Sequence, residues 1–320
     1  MHNSMQIAFG IVFTLLATDT VNAAMPTHPE IDNSFMTLPD GRSLKKISVK
    51  GKKLELARGG NIKFGLAEQN AYLKLKQETL TIPGHLVQWT LMDLDRHQVI
   101  AQSASARLKI FGASVAKIFT AATLLDKKNG KLSKSQLQLM ADMLVVSSNT
   151  AWTELQKQIG DGYDDRGRAT THAFTQRMGY LRTRGFQGYW GDMHGNELTT
   201  EELAEFLYDT YQGNYPGAEV QWKIMHTCRT GESRARKYLP SSLYIGGKTG
   251  TYDGSTVNPE TGSTQNANGT QYSVRVRNHV VVFNVKGKEY GLAILADTGS
   301  DESAALLAGG LLHEYTRYEK

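Results

Sequence analysis

Three short runs bring together residue types that can activate a hydroxyl. Ser114-Val115-Ala116-Lys117 sets a lysine three residues after a serine, Ser147-Ser148-Asn149 sets a serine two before an asparagine, and Lys248-Thr249-Gly250 puts a second amine beside a hydroxyl. Serine is a poor nucleophile until a base takes its proton. Residues three apart on a helix share a face, so the Lys117 amine is expected to reach the Ser114 hydroxyl. An ammonium cannot accept a proton, and burial together with the charge of Lys248 is expected to lower the proton affinity of Lys117. Ser147 is then suited to relay a proton to a leaving nitrogen, and Asn149 to hold Lys117 and a substrate amide. Lys248 with the Thr249 hydroxyl suits a substrate carboxylate. The backbone N–H groups of Ser114 and Thr251, next to Gly250, are the expected oxyanion donors, since a strand edge beside a helix start aims two donors at one point.

The elements around these runs fit that placement. From Ala113 the pattern is helical, with Val115, Ile118, Phe119, Ala122 and Leu125 near one face and Asn129-Gly130 as the stop. Ser133 and Gln136 form a capping box for a second helix, whose stripe Leu137, Met140, Ala141 and Leu144 runs into Ser147. Thr199 and Glu202 cap another, with Leu203, Phe206, Leu207 and Tyr211 inward. Val87 to Asp95 and His97 to Ala101 read as two strands about a turn, Leu243 to Ile245 as a strand entering Lys248, and Val280 to Val285 with Tyr290 to Ala296 as a strand pair. Ser300 opens the last helix, and Gly254 to Gly269 looks like an exposed loop. Strands, a long helical middle, strands and a terminal helix imply an α+β fold: an antiparallel sheet formed by both chain ends, flanked by helices, with an inserted, mostly helical subdomain.

Composition narrows the function. The chain has 320 residues, 40% of them apolar, so disorder does not describe it, and its single cysteine, Cys228, excludes an internal disulfide and a zinc site built on several thiolates. Cys228 itself is expected to be buried and inert. A mean hydropathy of −0.39 excludes a protein of many membrane spans. Ile7 to Ala17 is an apolar run of export-signal length, followed by Val21-Asn22-Ala23 before an expected cut at Ala23–Ala24, although Met1 to Gln6 holds no Lys or Arg. The expected organisation is a signal peptide over 1–23, a basic N-terminal extension over 24–85 and a hydrolase domain over 86–320. An exported, periplasmic or extracellular location follows, with membrane contact only through an uncleaved N-terminus. Arg42 to Gly65 carries eight basic residues against Glu55 alone and includes a second S-x-x-K at Ser43. A solvated hairpin is the simpler account of this segment, and no nucleic-acid-binding signature is present.

The three motifs, in this order, resemble those of the penicillin-recognising serine hydrolases, specifically the class A beta-lactamase-like branch, over roughly Val87 to the C-terminus. The resemblance implies an acyl-enzyme on Ser114 and neither metal nor other cofactor. Val145 to Ala151 looks like that family's helix-to-loop passage, with Ser148 where aspartate is usual. Class A beta-lactamases also carry a glutamate and an asparagine on a long omega loop that position the water clearing the acyl-enzyme. The stretch here, Leu181 to Thr199, is short and lacks that pair, leaving Asp192, His194 and Glu197 as substitutes. The wall the family usually builds between Gly130 and Ser147 has no counterpart. An open cleft and a missing glutamate point to a DD-peptidase-like hydrolase acting on peptidoglycan stem peptides, with a beta-lactamase acting on a small-molecule beta-lactam as the alternative and a non-catalytic wall-binding module as a third. Arg275 and Arg277, two apart on one strand face, are candidates for a substrate carboxylate, and Arg236 is a weaker one. Tyr189 and Trp190 are candidates to line the cleft.

Overall fold

A computed structural model describes residues 48–49, 52–53, 64–184, 186, 196–228, 230–240, 243–255, 261–297 and 299–316. The expected signal peptide, its cleavage point, and Tyr189, Trp190, Asp192 and His194 lie outside the described residues. Within the basic segment the backbone of β1 (Ser48–Val49) pairs with β2 (Lys52–Lys53).

The centre is a five-stranded antiparallel sheet of β3 (Val87–Asp93), β4 (Gln98–Gln102), β7 (Tyr244–Ser255), β8 (Ser273–Val285) and β9 (Lys288–Ala296). Its order is β4-β3-β9-β8-β7, so strands from both ends of the chain meet at β3 and β9 and β7 is an edge. Strand alternation divides the core in two. Met92, Val280, Val282, Ala293 and Leu295 face a helical layer, while Trp89, Leu91, Val281, Phe283, Leu292 and Ile294 face the opposite side. The helical layer comprises α2 (Lys117–Lys127), α3 (Lys134–Val145), α4 (Asn149–Ile159), α5 (Asp164–Arg177), α6 (Thr200–Gln212) and α7 (Ala218–His226). This is the α+β architecture that the order of elements implies.

The other face is covered by α1 (Leu66–Thr81) and α8 (Asp301–Tyr315). The helix α1 falls in the stretch assigned from sequence to a basic extension, yet Phe64 and Tyr72 pack into the core on this face. Tyr72 lies directly over Gly310, where an added Cβ would stand 2.2 Å from the ring. Only glycine allows helix and ring to approach so closely. Weak amphipathic periodicity hid α1: its buried residues are Tyr72 and Thr79, while Leu66 and Leu73 are exposed.

Local chemistry sets the helix boundaries near the site. Asn129 and Gly130 adopt positive φ and close α2, as their residue types suggest. Ser133 and Gln136 form the expected capping box on α3. Thr199 caps α6 through the N–H of Glu202, but the Glu202 carboxylate turns elsewhere, accepting from the Arg182 N–H at 2.7 Å and the Thr183 hydroxyl at 2.7 Å. This ties the start of the stretch before the short strand β6 (Glu197–Leu198) to the helical layer, and β6 pairs with β5 (Ile110–Phe111), just upstream of Ser114.

Candidate active site

Ser114 sits in a 3₁₀ turn, Ala113–Ala116, that leads directly into α2, with Lys117 as the first residue of the α-helix. The lysine is wholly buried, and its Nζ lies 3.1 Å from Ser114 Oγ. It also lies 2.8 Å from the carbonyl oxygen of Ser147, 3.2 Å from Ser147 Oγ and 2.6 Å from Asn149 Oδ1, and 5.1 Å over the Trp152 ring. Ser147 links α3 to α4 with φ of +61°, a sparsely populated conformation for a residue with a Cβ. That conformation directs its hydroxyl and its carbonyl at the same amine. Ser148, in place of the family's usual aspartate, caps α4 by accepting from the Ala151 N–H at 3.2 Å. Serine and aspartate are both strong N-caps, so the exchange preserves the helix start that presents Asn149.

Strand β7 brings the second amine. Lys248 is wholly buried, with Nζ 2.9 Å from Ser147 Oγ and 2.6 Å from the Thr249 carbonyl oxygen. Burial, aided by the charge of Arg234, pulls its pKa down to about 8. Gly250 lets the strand meet the serine turn: a Cβ there would stand 2.7 Å from the Gly112 carbonyl oxygen and 3.2 Å from the Val115 nitrogen. Ser114, Lys117, Ser147, Asn149 and Lys248 therefore form one hydrogen-bonded group, with Gly250 packed against the turn that carries the serine.

The flanking candidates divide. Thr249 Oγ1 lies 2.6 Å from Thr230 Oγ1, which in turn lies 3.3 Å from the buried Cys228 thiol. Thr251 pairs with Arg277 across β7 and β8, so both lie on the strand face opposite Lys248 and Gly250. There the Arg277 guanidinium holds Asp253 through two bonds of 2.7 and 2.9 Å, and its Nε is 3.6 Å from Asp301. That hydrogen-bonded carboxylate raises the Arg277 pKa. Arg275 is exposed and pairs across from Asp253. Neither arginine joins the serine group. Arg236 is buried and gives Nη2 to the Cys228 carbonyl oxygen at 2.5 Å.

Two residues that sequence reasoning passed over do reach the site. Arg234 is buried; its Nη1 donates to the carbonyl oxygens of Gly250 at 3.0 Å and Asn278 at 2.9 Å. Its Nη2 donates to Thr251 Oγ1 at 2.5 Å and its Nε to Asp301 at 2.6 Å. It follows Gly231, whose positive φ turns the chain under β7, and that glycine was the only local signal. Asn196 is the second. Its Nδ2 donates to the Ala113 carbonyl oxygen at 3.3 Å, while its Oδ1 is buried with no hydrogen-bond partner among the described residues. Glu197, by contrast, is bound to Arg184 at 2.5 Å and faces Lys109 at 3.9 Å. Those cations occupy the carboxylate proposed from sequence as a substitute base.

An antiparallel sheet under a helical layer, with a serine–lysine pair at a helix start and a second lysine on the edge strand, defines a serine hydrolase of the penicillin-recognising type. The description "Beta-lactamase enzyme family" matches residues 130–311, more than half of the chain, and the chain belongs to that family. Solved structures of similar fold include a beta-lactamase from Xanthomonas campestris pv. campestris, with 17% identity, 77% of this chain and 96% of that chain covered, and a TM-score of 0.57. A class A beta-lactamase from Bacteroides cellulosilyticus shows 16% identity, coverage of 78% and 96%, and a TM-score of 0.57. A beta-lactamase from Burkholderia vietnamiensis shows 16% identity, coverage of 79% and 97%, and a TM-score of 0.57. At such identities the likeness establishes the fold. No curated protein sequence matches the chain.

Proposed function

We propose that the chain opens beta-lactam rings through an acyl-enzyme on Ser114. The observation that carries this is the hydrogen-bond pattern around Lys117. Ser147 O and Asn149 Oδ1 can only accept, and they lie at 2.8 and 2.6 Å. A neutral amine has two N–H groups and one lone pair. In the neutral form, N–H groups directed at those two acceptors would turn the lone pair toward the Ser114 O–H, 3.1 Å away.

In the first step Ser114 Oγ attacks the lactam carbonyl while its proton passes to Lys117 Nζ. The backbone N–H groups of Ser114 and Thr251 are the proposed donors to the oxyanion. Collapse breaks the C–N bond, and the nitrogen takes the Ser147 hydroxyl proton, which Lys117 replaces. Lys117 returns to the neutral form and can then take a proton from the water that attacks the ester. The unmatched Oδ1 of Asn196, next to the serine turn, is the proposed acceptor that orients this water. Lys248 and Thr249 receive the carboxylate on the leaving half.

A second reading, a penicillin-binding peptidase acting on peptidoglycan stem peptides, draws on the lack of any glutamate between Leu181 and Asn196. Deacylation without such a base is slow, as a stem-peptide enzyme tolerates. One experiment separates the two. Ser114 should acquire one intact-mass adduct from a fluorescent penicillin, and Ser114→Ala should acquire none. Steady turnover of a chromogenic cephalosporin supports the beta-lactamase. A stoichiometric burst with a stable adduct, and muropeptide products from purified sacculi, support the peptidase. No adduct on the wild type overturns both. Export to the periplasm is proposed for either reading and rests on the N-terminal apolar run alone.

A further inference from the structure

Two pairs of residues, each spaced by one helical turn, meet beside Ser114. On α2 Thr120 follows Lys117 by three residues, and on α4 Trp152 follows Asn149 by three, so each pair shares one helix face. The two faces touch: Asn149 Oδ1 lies 2.6 Å from Lys117 Nζ, and Trp152 Nε1 donates to Thr120 Oγ1 at 2.8 Å. Thr120 is wholly buried and the indole nearly so, and the ring stands with its centroid 5.1 Å from Lys117 Nζ. Trp152 belongs to none of the three motifs, and the acylation steps make no use of it.

The face of an aromatic ring is negative, so it attracts an ammonium far more than a neutral amine. Lys117 passes from one form to the other when it takes the Ser114 proton. The other groups facing it bear on the same change. The link from α3 to α4 presents the oxygens of Ser147 and Asn149, while Lys248, on β7, shares the Ser147 hydroxyl and as a cation opposes a second charge. Burial opposes that charge too. The ring works against both, in a place shielded from water where such an attraction is strongest. Its help comes as the charge develops, which is when an interaction lowers a barrier.

We infer that Trp152 is a positioning residue for the acyl transfer: its ring face, held by Thr120, stabilises Lys117 as it becomes an ammonium. This deepens the reading of Ser114 as the nucleophile and rests on it.

Acylation of Ser114 by a fluorescent penicillin, followed by intact mass over time, gives the rate at each pH. The rate should rise with pH as Lys117 loses its proton and fall again as Lys248 loses its own. Trp152→Leu should move the rising limb down by about one pH unit, the worth of a desolvated cation–π contact, and lower the plateau. A ring that only packs would have the opposite effect: its removal would admit water, ease the charge and move the limb up. Trp152→Phe, which keeps a ring face, should recover most of the limb. Fluorinated tryptophan placed at 152 keeps the shape and weakens the negative face, so the limb should step down with each added fluorine even if Trp152→Leu fails to fold. A limb that stays in place or moves up in either overturns the inference, while adduct formation leaves the Ser114 reading standing. If the wild type forms no adduct, the Ser114 reading fails, and NMR titration of the Lys117 side chain still decides on the ring: a lower midpoint in the fluorinated protein supports its hold on the charge, and an unchanged midpoint overturns it.

Discussion

The two faces of β7 hold their cations in different ways. On the face toward Ser114, the bonds described for Lys117 and Lys248 go to hydroxyl, carbonyl and carboxamide oxygens. On the face toward α8, Arg234 and Arg277 are bound to Asp301 and Asp253. Lys248, wholly buried and near Arg234, has its pKa pulled down to about 8, so it exchanges a proton near neutral pH because burial opposes its charge. An arginine bound to carboxylates keeps its charge and serves as an anchor for backbone. The difference separates groups suited to chemistry from groups that hold the strand carrying them.

The hardest test of this contrast is Lys117→Met, which keeps much of the side-chain volume and removes the proton acceptor. Adduct formation on Ser114 should slow by at least about 10³-fold, as expected for loss of a base that activates the nucleophile. A loss under tenfold, read by intact mass against time, places the base elsewhere.

Arg234→Lys is next. A lysine cannot span Gly250 O, Asn278 O, Thr251 Oγ1 and Asp301, so buried carbonyls are left unmatched at about 1–3 kcal/mol each. The thermal midpoint should fall, and KM for a carboxylate-bearing substrate should rise about tenfold with a smaller change in kcat. A fall in kcat alone would move Arg234 from anchor to reacting group.

Lys248 gives a milder, pH-dependent signal. Its pKa of about 8 lies below the unfolded value, so charge is lost as pH rises through 8. The kcat/KM for an anionic substrate should fall toward tenfold per unit above that pH. The stability contribution of this group has the opposite sign, rising between pH 8 and the unfolded pKa near about 10.4, because the folded state binds fewer protons there. A flat profile to pH 10 removes the lysine from carboxylate binding.

Asp253→Asn should do least. The carboxylate is largely exposed, and its hydrogen bond from Arg277 holds its pKa below the ordinary value. Its contribution is present above the unfolded pKa and is lost as pH falls through the lower folded value. The unfolding free energy from urea melts should drop by well under about 1 kcal/mol at pH 7, with no difference from wild type near pH 2. A large drop would make this face as sensitive as the other.

Legibility in the sequence followed locality. Ser114 and Lys117 sit one helical turn apart, the Ser133 box announced α3, and the late strands alternated visibly, so the three motifs and the sheet could be read from short windows. Helix α1 lacked a clean apolar stripe because a glycine on α8, not a row of leucines, makes its contact. Arg234 and Asn196 carried no motif, and their importance comes from partners up to 83 residues away. Arg275 and Arg277 were correctly placed on one strand face, but their distance from the serine depends on which side of β7 that face occupies.

The order of residues alone determined which candidate groups could meet, because helix and strand periods decide which side chains share a face. Only the tertiary structure decided which charges stay available. A carboxylate brought in from a distant element neutralises an arginine, whereas neutral oxygens leave a buried lysine free to trade its proton, and no local window records which of these a cation will meet.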